Sequence, residues 1–210
     1  MSAVNLDGQP DDDGRRAFRE RVRRRQVPEN EVPGVATGPL MLGRTGDVAL
    51  QLRPLEVFST GVRLELVLLL RRPDVPWPAR DAFQQFDSQL FVGVELPGGR
   101  KVVPAFPMPW DPRPESDDPA LVANGGGGGG RRMALTWFLT PFPEPGDLLV
   151  VAAVPGAGLP EARVVVPAAA LAKARAAVIE LWPWEDEADR LPTPPVPRPP
   201  APEGGWFADA

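Results

Sequence analysis

Cysteine, histidine and tyrosine are all missing from this 210-residue chain. Without cysteine there is no disulfide, the staple that small secreted domains commonly need, so a reducing compartment and a cytoplasmic location are expected. Without histidine or cysteine, Ser-His-Asp and Cys-His catalysis and Cys- or His-ligated zinc cannot be assembled from this chain. Carboxylates are left as the plausible acid–base groups and as ligands for a hard cation. Long apolar runs are missing too. The densest, residues 64–70, is interrupted by Glu65 and is far too short to span a bilayer, so no membrane partner is expected. Residues 1–25 are polar and lack the apolar stretch of a secretory signal. Lysine is nearly absent, with Lys101 and Lys173 against many arginines. The formal net charge of −5 argues against a chain that coats nucleic acid along its length.

Proline and glycine are abundant instead. The 29 prolines and 21 glycines make up about 24 % of the chain, near the level that marks low-complexity content. Their uneven placement sets the expected boundaries. Residues 1–35 carry an acidic patch at 11–13, then Arg15, Arg16, Arg19, Arg21, Arg23, Arg24 and Arg25, then Pro28 and Pro33. With no sustained apolar period they bury too little surface to offset their ordering entropy, and a disordered tail is expected. A short helix over 15–25 is compatible with Ala17, Phe18 and Val22. Residues 185–210 run from acidic to proline-rich and end in Gly-Gly-Trp206-Phe207. This segment is expected to be an extended tail with polyproline II character.

Between the tails, over 36–184, the period is two. Val48, Leu50 and Leu52 alternate with polar or small residues, and Pro54 then bends or edges the strand. A stretch over 55–58 continues after the bend. Val62, Leu64, Leu66, Leu68 and Leu70 form the clearest alternation, with Val67 and Leu69 apolar on the second face as in a central strand. Leu90, Val92, Val94 and Leu96 lead through Pro97-Gly98-Gly99 into a return strand. Met133, Leu135, Trp137 and Leu139 alternate, and 148–154 and 163–166 add two more strands. Residues 106–131 read as a long irregular insertion closed by six glycines. From 168 to 182 the period becomes helical, with Leu171, Ala174, Val178, Leu181 and Trp182 on one face. The expected fold is mostly β: an immunoglobulin-like antiparallel β-sandwich of about seven strands, with one C-terminal α-helix packed on it and disordered tails.

The glycine run 125–130, the segment Trp137-Phe138-Leu139-Thr140-Pro141-Phe142-Pro143-Glu144-Pro145-Gly146-Asp147-Leu148, and the alanine-rich stretch ending Leu181-Trp182 resemble a family of actinobacterial proteins without a known activity. The resemblance covers roughly residues 45–184. It implies those domain boundaries and brings no catalytic residues.

Each motif has a plain alternative. The glycine run lacks the Lys-Ser/Thr pair of a phosphate loop and leads into a strand, so a flexible filler is expected. Carboxylates at Asp47, Glu56, Glu65, Asp87, Glu95 and Asp111 fall in or beside the folded region, and ordinary solubility accounts for them. Trp137 and Trp182 are expected in the core. Trp110 sits in a stiff Pro-rich loop, where it either plugs the sandwich end or meets a partner. The candidate partner contacts are therefore Trp110, Trp206 and Phe207, with Arg21, Arg23, Arg24 and Arg25 of the basic stretch. No catalytic, metal-binding or cofactor-binding residue and no cofactor is expected. The function class that follows is a non-enzymatic protein-interaction or structural module. The alternatives are binding of nucleic acid or an acidic partner through the Arg-rich arm, and a carboxylate-dependent enzyme.

Overall fold

The computed structural model describes residues 20, 23–72, 90–104 and 118–184. Their strands are β1 (Glu31–Val32), β2 (Gly34–Thr37), β3 (Leu40–Arg44), β4 (Val48–Leu52), β5 (Leu55–Val57), β6 (Val62–Leu70), β7 (Phe91–Glu95), β8 (Lys101–Val102), β9 (Ala120–Gly129), β10 (Arg132–Thr140), β11 (Leu148–Val154), β12 (Leu159–Val166) and β13 (Ile179–Glu180). A helix, Ala168–Ala176, lies between β12 and β13. The protein is mostly β, and every described strand pair is antiparallel.

Long β6 organises the larger, seven-stranded sheet. One side of β6 pairs with β10, and β10 pairs with β9. The other side takes β5 at its start, Val57 opposite Val62, and β4 along its end, from Leu52 opposite Leu66 to Val48 opposite Leu70. β2 lies outside β5 and β3 outside β4. A second sheet has the order β12-β11-β7-β8, and β1 and β13 form a small ladder of their own.

The period-two residues of both sheets enter one buried cluster. β4 supplies Val48, Leu50 and Leu52; β6 supplies Val62, Leu64, Leu66, Leu68 and Leu70; β10 supplies Met133, Leu135, Trp137 and Leu139. From the second sheet come Val92, Val94, Leu148, Val150, Ala152, Val154, Leu159 and Val166. Burial of each such side chain is worth about 1.5–3 kcal/mol, which makes this cluster the main stabilising feature. The opposite face of the larger sheet is buried only in part. Phe138 packs edge-on against Phe58 with ring centroids 6.0 Å apart, and Val67 is buried, but Leu69, expected to be covered on both sides, is exposed.

The helix rests on β2. Its N-terminus is capped from a distance, with the Ala168 N–H donating to Asp147 Oδ1 at 2.8 Å, and Lys173 and Arg175 lie in the last turn, where cations suit the helix dipole. Leu171 and Ala174 join the core. Gly34 of β2 makes this contact feasible, since a Cβ there would lie 1.9 Å from the Ala174 carbonyl oxygen.

Five expectations are corrected. The helix stops at Ala176 instead of continuing to 182, because the chain after Ala177 pairs with β1. Ile179 faces Val32 and Glu180 faces Glu31. Asn30 completes the clamp: its carbonyl accepts from the Leu181 N–H and its Nδ2 donates to the Trp182 carbonyl, both at 2.8 Å. Trp182, expected in the core, is consequently 56 % exposed. The span read as an N-terminal tail, 1–35, contains β1 and the start of β2. Finally, the insertion read at 106–131 is regular from Ala120 onward, since residues 120–129 are strand β9. The two larger sheets thus hold eleven strands rather than about seven.

Candidate functional site

Strand β9 is the terminal strand of the seven-stranded sheet. It pairs with β10 on one side, and no described strand lies on its other side. Its first half, Ala120, Leu121, Val122 and Ala123, is partly or fully buried, while residues 124–129 are exposed. Register explains the glycines. Leu135 faces Gly126 but Trp137 faces Ala123, so β9 has one residue more than β10 over this stretch, and Gly125 there has φ +104. An extra residue with positive φ makes a β-bulge, a conformation glycine adopts without strain. Gly128 is needed for a different reason, since a Cβ would sit 2.4 Å from the Arg132 carbonyl oxygen. Gly127 and Gly129 face open space. Gly130 and Arg131 form the two-residue turn into β10, with φ +59 at Gly130, the sign a type II′ hairpin needs at that position.

From 125 to 129 the edge is therefore a line of main-chain groups with no side chains to guard it. Protein sheets usually blunt long edges with lysine, proline or inward-pointing charge. From 125 to 129 this one carries none of these. Charge sits only at its ends: Asp118, bonded to Arg100 at 3.0 Å, before the strand, and Arg131 and Arg132 at the tip, the latter 3.2 Å from Glu65.

A second surface is the outer face of the four-stranded sheet. Phe91, Val103 and Val165 project there, exposed by 64 %, 67 % and 56 %. Phe91 and Val103, with Leu149, Val151, Ala153, Glu161 and Arg163, line a groove of about 660 Å³.

A third, polar crevice gathers the end of the Arg-rich arm. Arg23 lies 4.8 Å above the Trp184 ring, and Arg23 and Arg24 both reach Glu20. The Arg24 carbonyl accepts from Thr140 Oγ1 at 2.7 Å. Arg25 is half-buried. Opposite, Arg175 stacks on Phe142 at 4.2 Å and donates to the Ser59 carbonyl. Glu31 accepts from both the Ser59 N–H and the Ser59 hydroxyl. Thr60 Oγ1 is buried here without a hydrogen-bond partner among the described residues. The crevice joins the two chain flanks.

Of the candidate contacts, Arg23, Arg24 and Arg25 thus lie on the body of the domain, while Arg21, Trp110, Trp206 and Phe207 lie outside the described residues. The described candidate carboxylates are spread apart and mostly face arginine: Asp47 faces Arg72, Glu56 pairs with Arg63, and Glu65 pairs with Arg132. Glu95 lies opposite Lys101 in the β7–β8 ladder. Among the described residues no three acids converge on one point. The β9 edge was hidden from sequence reasoning because glycine has no side chain and so leaves no period. The readable signals were the apolar run 120–123, the Gly130-Arg131 turn and the alternating strand after it. No family model, curated protein or solved structure matches the chain.

Proposed function

We propose that this protein is a non-enzymatic interaction module whose docking element is the open edge of β9, which accepts an extended segment of a protein partner as an added strand. The observation that supports this is a ten-residue edge strand whose second half is glycine. Glycine in a strand interior costs about 0.5–1 kcal/mol relative to alanine, and residues 125–129 bury no side chain to offset it. A strand added from outside contributes a second ladder, at about 0.5–1.5 kcal/mol net per hydrogen bond. Strand addition takes its affinity from such main-chain bonds, and a glycine edge allows a close approach on either face.

The scaffold fits the role. Two antiparallel layers share one core, in keeping with a sandwich of the immunoglobulin-like class, and such a core leaves an edge rigid enough to template a strand. The cysteine-free composition supports a cytoplasmic setting, and no helix of the described residues is long and apolar enough to cross a membrane. Binding of nucleic acid or an acidic partner through the basic arm has less support, because Arg23 and Arg24 already engage Glu20 and Arg23 also stacks on Trp184.

The test is selection of extended peptides on the full chain, followed by amide chemical-shift mapping. Selected peptides should perturb the amides of 120–129 above all others. Peptides that bind and leave those amides unmoved would remove β9 from the account.

A further inference from the structure

We infer that the strand β9 accepts is β9 of a second copy of this chain, paired antiparallel about a two-fold axis. This rests on β9 being a docking edge, and it names the partner. An antiparallel pair of identical strands closes on itself, so the same patch serves both copies and no open filament results.

Three features of the strand fit its own reverse. In the register of full overlap Ala120 faces Gly129 of the second copy, Leu121 faces Gly128, Val122 faces Gly127 and Ala123 faces Gly126. The half of β9 that has side chains thus lies against the half that has none, and each Val122 meets the open space around a Gly127. The same register carries Asp118 beside Arg131 of the second copy, twice in the dimer. Asp118, which also bonds Arg100, and the Arg131-Arg132 tip are then opposed at both ends of the joint ladder. The bulge at Asn124 and Gly125 falls on the axis, leaving a regular ladder on either side of it. A slip of two residues moves both charge contacts out of line, so the charges also fix the register.

The experiment is sedimentation velocity of the full chain over a range of concentrations, with Asp118→Arg, Arg131→Asp and the double variant. Both positions are exposed, so the folds should survive, and circular dichroism checks this. The expected result is a concentration-dependent dimer. Each single variant should raise its dissociation constant about tenfold by setting like charges against each other, and the double variant should restore it to within about threefold. Amide exchange at residues 126–129 should slow as the dimer forms. A monomer at every concentration up to the solubility limit overturns the inference, as does a dimer that neither single variant weakens. A monomer that still captures selected peptides on β9 overturns the second copy as partner and leaves the docking edge standing. A monomer that captures none removes both.

Discussion

Glycine at neighbouring positions of one run has opposite physical roles in this protein. At Gly128 the backbone of β10 is so close that a Cβ would lie 2.4 Å from one atom and 2.8 Å from another. These are main-chain atoms, which cannot swing aside as a side chain can. Gly128→Ala is therefore expected to cost about 1–3 kcal/mol, the range for overpacking a fitted site. At Gly127 the same methyl meets nothing within 4 Å. Gly127→Ala should leave stability unchanged or raise it by up to about 1 kcal/mol, since alanine narrows the unfolded ensemble. Urea denaturation of the two variants at low protein concentration reads the difference. Equal effects would mean that the run is not a strand in this register. Gly34 is the more demanding site, because a Cβ would be driven into the Ala174 carbonyl and would push the helix off β2.

At the scale of the element, the chain from 168 to 182 is divided between two uses. Leu171 and Ala174 anchor a helix on the core, and Ile179 and Glu180 then leave it to pair with β1. Asn30 fixes that exit, being 7 % exposed and bonded to the Trp182 carbonyl. Asn30→Ala is expected to cost about 1 kcal/mol and to speed amide exchange at Leu181, leaving exchange at Leu171 unchanged. Asp147→Ala should cost about as much but fray the other end, speeding exchange at Ala168–Ala170. If each substitution loosens the whole helix alike, the two ends are not held independently. Elements whose alternation is carried by large side chains, β4, β6, β7, β10 and β11, were legible in the sequence for this reason: burial on one face leaves a period of two. β9 was not, since glycines carry no period. The end of the helix was not, since Leu181 and Trp182 match a helical stripe but the partner strand β1 lies about 150 residues earlier. β2 and β3 were missed because few of their residues are fully buried. The candidate edge was illegible with β9, and only its flanking charges and the Gly130-Arg131 turn were visible.

At the scale of the molecule, the two larger sheets depend on one core. Leu66 of β6 and Leu148 of β11 belong to different sheets, and both are fully buried in the same cluster. Neither sheet has a second complete core to fall back on: the outer face of the four-stranded sheet is exposed at Phe91 and Val165, and that of the larger sheet is exposed at Leu69. Losing either layer therefore uncovers the other's apolar side. Unfolding should be a single transition, and Leu66→Ala and Leu148→Ala should each lower that one transition by about 2–5 kcal/mol. Tryptophan fluorescence, read in a background where Trp137 is the one tryptophan of the six kept, reports on the larger sheet, and far-ultraviolet circular dichroism reports on both sheets together. The two probes should give coincident curves for that parent chain and for both variants. Non-coincident curves after Leu148→Ala, with the fluorescence midpoint unmoved, would mean that the four-stranded sheet melts separately. The large sheet would then be stable alone, and the β9 edge would owe its rigidity to β6 and β10 instead of to the shared core.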